Sequence, residues 1–129
     1  MTTPADRRYA ATHAWALREA DGTLRVGITH YAQSQLGDVV FVQPPEPGRV
    51  VQQGEACAVI ESVKAAGDVH APVAGTVVAV NAVLAETPEK INEDPYAAWI
   101  FRLQPAAPSD YDALLDAGAY AREAGDADY

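Results

Sequence analysis

The sequence has few of the residues that catalytic and metal sites use. It contains one cysteine and three histidines in 129 residues, so an internal disulfide is excluded, and no His or Cys pair has the spacing of a metal site. The strand-to-helix turn GxGxxG and the GxSxG turn are both missing. We therefore expect no metal site and no catalytic activity of the chain's own. The single cysteine, Cys57, lies in an apolar run and is interpreted as a small core residue of a protein in a reducing compartment.

Basic residues and long apolar runs are scarce as well. Nine Lys and Arg residues stand against 18 Asp and Glu residues, for a formal net charge of −9 at pH 7. Nucleic-acid binding needs a basic face, so we expect no nucleic-acid partner, whereas an acidic surface suits solubility and basic protein partners. No apolar run approaches the ~18 residues of a membrane span, and none follows the first arginines as in a secretory signal. We expect a bacterial cytoplasmic protein that does not enter a membrane, although a mature organelle protein would have the same features.

A hydrophobic content of 49% is enough for one folded domain over residues 1–129. Apolar residues alternate on either side of the Asp21–Gly22 turn, which is typical of a β hairpin. Thr29 and Gly37 are suited to begin and end a short helix. The segment DVVFVQ then predicts a strand, which the proline-rich turn Pro44–Gly48 ends.

A weak internal repeat occupies the middle of the chain. Residues 48–59 and 75–86 each begin with glycine and contain a pair of valines, a turn residue (Gly54 or Asn81) and a second apolar segment. Two similar halves predict a quasi-symmetric β sandwich, with the segment between them forming a hairpin exposed at one end. Chance similarity of two valine-rich strands is the alternative.

The C-terminal third predicts a loop, a strand and a helix. The polar, proline-punctuated segment 86–96 is typical of a loop, and AWIFRL predicts a final strand. A helix is predicted over 109–124, because Ser109 is suited to cap it and apolar residues recur on one face. Residues 125–129 are predicted to be a frayed tail and residues 1–8 a flexible N-terminus.

Lys64 stands out because it is one of only two lysines and lies among small residues. A surface amine is mostly protonated at neutral pH, which makes it a poor nucleophile but a suitable target for acylation by another enzyme. The neighbouring Val63, Ala65, Ala66 and Gly67 leave room for the side chain to enter a foreign active site, and a glycine permits an unusual φ at the turn. An ordinary exposed turn lysine is the alternative.

The segment ESVKAAGDVHAPVAG around Lys64 resembles the lipoylation motif of the glycine cleavage system H protein family. Three further segments resemble that family: THAW, GITHYAQSQLGDVVFVQPPEPG and PEKINEDPY. The resemblance covers about Tyr9 to Tyr120. It implies a mainly β fold, the lipoyl/biotinyl-type barrel-sandwich hybrid of two antiparallel sheets with a short helix and a C-terminal helix. It also implies that (R)-lipoate is joined to Lys64 through an amide.

The function implied by the resemblance is that of a monomeric carrier that is not itself an enzyme. In the family, a glycine decarboxylase (P-protein) transfers the aminomethyl group of glycine to the lipoyl sulfur. An aminomethyltransferase (T-protein) then takes the methylene, and a dihydrolipoamide dehydrogenase (L-protein) reoxidises the dithiol. A lipoate-attaching enzyme is the fourth partner implied.

Several residues are candidates for recognition of the hairpin or for contact with the lipoyl arm. Recognition and hairpin shape are assigned to Glu61, Ser62, Val63, Ala65, Gly67 and Asp68. Candidate contacts of the lipoyl arm are His13, His70, Tyr96 and Asp68, with ordinary surface or core-edge residues as the alternative.

Three departures from the family pattern affect the shelter of the arm. Ala14 stands where many members have glutamate, Gly67 stands where serine is common, and the PYAAW link is shortened. They leave open an H-like protein that relays lipoyl groups to other enzymes. A biotin carrier is disfavoured because its motif has methionine on both sides of the lysine. An interaction module that docks through its acidic C-terminal helix is a further alternative.

Overall fold

A computed structural model describes residues 3–124 as two antiparallel sheets built from nine strands. The strands are β1 (Arg8–Tyr9), β2 (Ala14–Arg18), β3 (Leu24–Ile28), β4 (Val39–Gln43), β5 (Val50–Val51), β6 (Ala56–Ser62), β7 (Ala66–His70), β8 (Gly75–Val80) and β9 (Phe101–Pro105). One sheet has the order β1-β2-β3-β9-β8-β5 and the other the order β4-β6-β7. This arrangement confirms the mainly β fold predicted from the sequence.

Four α-helices and one 3₁₀ helix connect the strands of the described part of the chain. They are α1 (His30–Leu36), α2 (Val83–Glu86), α3 (Lys90–Glu93), the 3₁₀ helix Pro108–Ala113 and α4 (Ala117–Ala124). The predicted limits of α1 are confirmed. Thr29 accepts a hydrogen bond from the Ala32 amide, and Gly37 ends the helix at φ 81°.

The main core is formed by apolar residues of both sheets, such as Leu103 and Val77 of the large sheet and Ile60 and Val69 of the small one. Cys57 belongs to it, as predicted, and burial raises the pKa of its thiol to about 11.

A second cluster is aromatic and contains Tyr9, Trp15, Tyr96 and Tyr120. Trp15 lies directly opposite Gly27 in the β2–β3 hairpin. A Cβ on Gly27 would come within 2.6 Å of the Trp15 ring, so only glycine fits beneath the indole.

The internal repeat holds only in part. The first part of each copy forms a strand, β5 in one copy and β8 in the other, and these two strands pair. The second part forms the strand β6 in the first copy but the helix α2 in the second. The turn residues differ as well. Gly54 has φ 81°, whereas Asn81 keeps an ordinary φ and its side chain bonds Trp99 O and the Val83 amide. The predicted quasi-symmetry therefore stops at the turn.

The segment 86–96, predicted to be a loop, contains the helix α3. Ile91 explains the difference, because its side chain is fully buried and draws this polar segment onto the core. The final strand begins at Phe101, three residues later than the start of the AWIFRL segment.

The helix predicted over 109–124 is interrupted. It begins as the 3₁₀ helix and resumes as α4, since Leu115 exchanges two backbone hydrogen bonds of 2.8 Å with Tyr9 between them. The same pairing holds the N-terminal segment, in which Arg8 bonds Leu114 O and Arg7 bonds Tyr96 O. Arg7 and Arg8 thus pack on the fold, and the flexibility of residues 1–8 stays a prediction. The predicted tail 125–129 lies outside the described residues.

Candidate functional site

Lys64 lies at the exposed tip of the hairpin that joins β6 to β7. Glu61 and Ala66 form the last pair of the ladder, and three residues connect the strands. Val63 is 71% exposed, and Lys64 and Ala65 are exposed as well. The amine therefore extends from a tip without bulky neighbours.

The side chain of Ser62 shapes this tip. Its Oγ accepts hydrogen bonds from the amides of Ala65 (3.0 Å) and Lys64 (3.3 Å) and donates to Ala65 O (3.1 Å). The Ser62 amide also donates to Ala65 O, at 2.8 Å. Ser62 was assigned to recognition and hairpin shape, and these contacts are those of a side chain that closes a turn on its own backbone.

We expect Ser62→Ala to loosen the tip at a cost of about 1 kcal/mol of unfolding free energy, because three side-chain hydrogen bonds are lost at a partly exposed site. Amide hydrogen exchange should become faster at Lys64 and Ala65. Ser34→Ala is the matched control, since Ser34 also bonds a local carbonyl, Tyr31 O at 2.7 Å, but lies on α1. Unchanged protection at Ala65 in the Ser62 variant would contradict this role.

The hairpin tip packs on the C-terminal end of α1. A Cβ on Gly37 would come within 3.2 Å of Lys64 Cε, so the lysine stem lies over this glycine. The amide of Val63 donates to Asp38 O at 3.0 Å. Gly67 faces Leu36 and keeps an ordinary φ, which corrects the expectation that it provides the unusual backbone angle. Gly37 provides that angle instead.

Asn92 joins the elements beneath the hairpin tip, a role that the sequence did not predict. Its Nδ2 donates to Gln33 Oε1 and Gly37 O, both at 2.9 Å, and its Oδ1 accepts from the Val39 amide at 2.8 Å. One side chain of α3 thus joins the end of α1 to the start of β4. The only available signal was an asparagine in a segment interpreted as a solvated loop.

A cleft of ≈ 190 Å³ opens beside the hairpin, between α1, β2 and β7. Three of the predicted arm contacts, His13, His70 and Asp68, line it together with the hairpin residue Gly67. Its apolar lining includes Ile28, Leu36 and Ile60.

His13 is held in a strained position at this cleft. Its φ is 70°, the one positive value at a non-glycine position in the described residues. Its Nδ1 lies 2.7 Å from Tyr120 OH, which in turn lies 2.8 Å from Thr29 Oγ1. Burial lowers the pKa of His13, which favours the neutral imidazole. The C-terminal helix α4 therefore fixes a ring at the cleft through Tyr120.

Two of the arm candidates, His70 and Tyr96, differ in placement. His70 Nδ1 lies 3.0 Å from Gly54 O and must donate to that carbonyl, which fixes its tautomer. Tyr96 is buried in the aromatic cluster, its hydroxyl accepts from the His30 amide, and burial raises its pKa. It is not among the residues that line the cleft.

The chain matches known proteins over nearly its whole length. The model of the glycine cleavage H-protein family matches residues 7–127. The chain belongs to the glycine cleavage H-protein family. The sequence resemblance is thereby confirmed.

Individual members of the family match over nearly their whole length. The glycine cleavage system H protein of Azoarcus sp. is 58% identical over 125 residues, 97% of this chain and 98% of the relative. That of Thermus thermophilus is 60% identical over 121 residues, 93% and 94% of the two chains. The crystal structure of the H protein from Mycobacterium marinum is 44% identical, with a TM-score of 0.84 over 95% of this chain and 98% of the other.

Ala14, where the sequence resemblance predicts a glutamate in many family members, lies inside the cleft. Ala14 is 1% exposed and contributes to the cleft lining, where a glutamate would place a carboxylate. Asp68 is the remaining acidic residue of the lining. In the described part of the chain no group of three or more acidic, His or Cys side chains is arranged to hold a metal ion. Nor is any helix of that part long and apolar enough to cross a membrane.

Proposed function

We propose that the chain is a lipoyl carrier of the glycine cleavage system, with (R)-lipoate attached to Lys64. The observation that carries the proposal is a lysine at the exposed tip of a hairpin, among small residues, in a chain of the H-protein family. Attachment forms an amide between Lys64 Nζ and the lipoyl carboxyl carbon, and the activating group of the acyl donor leaves. When bound, the lipoyl group supplies a disulfide that accepts the aminomethyl group of glycine.

The residues around Lys64 fit this group. The amine lies at an exposed tip among small residues, so it is free to enter an active site. The lysine stem lies over Gly37. The cleft beside the hairpin has an apolar lining suited to a hydrocarbon arm. The carboxylate of Asp68 attracts a cationic cargo, and a neutral His13 does not repel one. The cleft thus acts as a shelter from water for the loaded arm.

The chain itself performs no catalysis and presents the arm to each partner in turn. The partners are the decarboxylase (P-protein), the aminomethyltransferase (T-protein), the dihydrolipoamide dehydrogenase (L-protein) and the lipoate-attaching enzyme. Tethering gives the arm a high effective concentration at each active site. A monomer suits this exchange of partners, and the net charge of −9 favours encounters with basic surfaces. The bacterial relatives support a place in a bacterial cytoplasm.

The test is acylation followed by exchange. The purified chain is lipoylated, its mass is measured, and it is mixed with a glycine decarboxylase, glycine and labelled bicarbonate. We expect label to enter the glycine carboxyl group only with the lipoylated chain. The mass of the adduct also separates lipoate from biotin. A lipoylated chain that supports no exchange would refute the carrier role in glycine cleavage.

A relay of lipoyl groups to other enzymes is the second candidate. Ala14 favours it, because a methyl group in the cleft leaves one carboxylate fewer to hold a cationic cargo. If the chain is a relay, a labelled lipoyl group on Lys64 is transferred to an acceptor lipoyl domain in the presence of a transferase. The same transfer must be lost when the acceptor lysine is replaced.

A further inference from the structure

The edge strand β4 exposes two consecutive large apolar side chains. Val40 is 53% exposed and Phe41 is 49% exposed. The strand has a single partner, since the order of the small sheet is β4-β6-β7. An exposed apolar edge is an aggregation risk that proteins avoid unless another molecule covers it.

A β-bulge causes this exposure. Val39 pairs with Ser62 and Phe41 pairs with Glu61, so Val40 is an extra residue without a partner. Simple alternation along β4 would bury Phe41 with Val39. Instead Val39 and Val42 are buried, at 4% exposure each, and the two residues between them both face outward. Bulges re-aim side chains in this way next to functional sites.

These side chains adjoin the modified hairpin. Phe41 lies directly opposite Glu61, three residues before Lys64, and Val39 lies opposite Ser62. Val63, next to Lys64, is bonded to the residue that precedes β4 through its amide and Asp38 O. Val40, Phe41 and Val63 are named here the apolar patch.

The charges around the apolar patch are mainly negative even before Lys64 is acylated. Residues 38–41 and 61–68 contain the acids Asp38, Glu61 and Asp68, and Lys64 is their single cation. All four charged residues are exposed. An apolar centre with an acidic rim fits a partner surface that has an apolar pocket flanked by Lys or Arg.

We propose that the apolar patch is the docking surface for the enzyme that acylates Lys64. The inference rests on the proposed lipoylation of this residue. An enzyme that forms the amide must reach the bare amine, so its surface must come within a lysine's length of the hairpin. Enzymes that act on the end of the acylated arm work from further away. The acylating enzyme therefore covers Val40 and Phe41, and Phe41 fills its apolar pocket.

The test measures acylation kinetics with a lipoate-attaching enzyme, its activated lipoyl donor and variants of the whole chain. We expect Phe41→Ser to raise the KM for the protein substrate on the order of tenfold, with kcat within about twofold, as for a desolvated anchor residue. Val40→Ser should raise KM less, and Phe41→Leu should restore most of the affinity. Val78→Ser is the matched control, because Val78 is 45% exposed on the other sheet. It should behave as wild type.

The outcomes separate the docking surface from lipoylation itself. If wild type is acylated at Lys64 and Phe41→Ser has an unchanged KM, the apolar patch is not the docking surface and the carrier role stands. If wild type is not acylated, both proposals fail. Should Phe41→Ser not fold, the comparison of Val40→Ser with Val78→Ser decides. Self-association of wild type that Phe41→Ser abolishes, with an unchanged KM, would assign the patch to a second copy instead.

Discussion

A Lys64→Arg variant is expected to stay completely unacylated after co-expression with a lipoate-attaching enzyme and lipoate. The guanidinium keeps the length and positive charge of the side chain, but it does not lose its proton and therefore offers no nucleophilic nitrogen. The side chain is exposed at the hairpin tip, so the fold should not change. Intact mass spectrometry measures the result, and thermal unfolding checks that the midpoint is that of wild type.

Lys90→Arg is the matched control for this experiment. Lys64 and Lys90 are the two lysines of the chain, and both are exposed. Lys90 lies on α3, away from the hairpin tip in the chain, and its neighbours Glu89 and Ile91 are not small residues. We expect Lys90→Arg to be acylated as wild type. A mass increase that survives in Lys64→Arg would place the modification elsewhere and refute the assignment.

The exposed position of Lys64 was predictable because the signals for it are local. Small residues and a serine surround the lysine within one short hairpin, and the hydrogen bonds that close the tip join residues three apart or fewer. The same is true of α1, whose first and last residues are set by Thr29 and Gly37. Where a contact lies within a few residues, residue type alone indicates the structure.

The supports of the site were not predictable because they join distant parts of the chain. Asn92 bonds the Gly37 carbonyl, 55 residues away, and Tyr120 bonds His13, 107 residues away. The pairing of Leu115 with Tyr9 interrupts a helix whose pattern looks continuous in the sequence. Only the packed structure determines which polar residue reaches which backbone group, so a polar segment that supports the site is interpreted as a loop.

Two glycines near the lysine illustrate the same limit. Gly67 lies in the motif and was expected to have an unusual φ, but it pairs with Ile60 as an ordinary strand residue. Gly37, 27 positions before Lys64 in the sequence, has φ 81° and ψ −153°, and a Cβ added there would come within 3.2 Å of Lys64 Cε. The need for glycine thus arises where α1 ends beneath the hairpin.

Gly37→Ala is therefore expected to affect both stability and acylation. This φ/ψ region is nearly restricted to glycine, and an L-residue there costs about 1–3 kcal/mol of unfolding free energy. The new Cβ would come within 3.2 Å of Lys64 Cε, so the lysine stem must shift by a few tenths of an ångström from its resting position. We expect a lower midpoint in denaturant and a several-fold change in kcat/KM for acylation of Lys64.

Gly22→Ala separates the two effects. Gly22 has φ 89° in the β2–β3 turn, and a Cβ there would have no neighbour within 4 Å. It should therefore lose stability through backbone strain without touching the lysine, and it should be acylated as wild type. If both variants lose the same stability and only Gly37→Ala changes acylation, the contact with Lys64 is responsible. If both are acylated as wild type, Gly37 acts only as the end of a helix, and the lysine stem needs no platform.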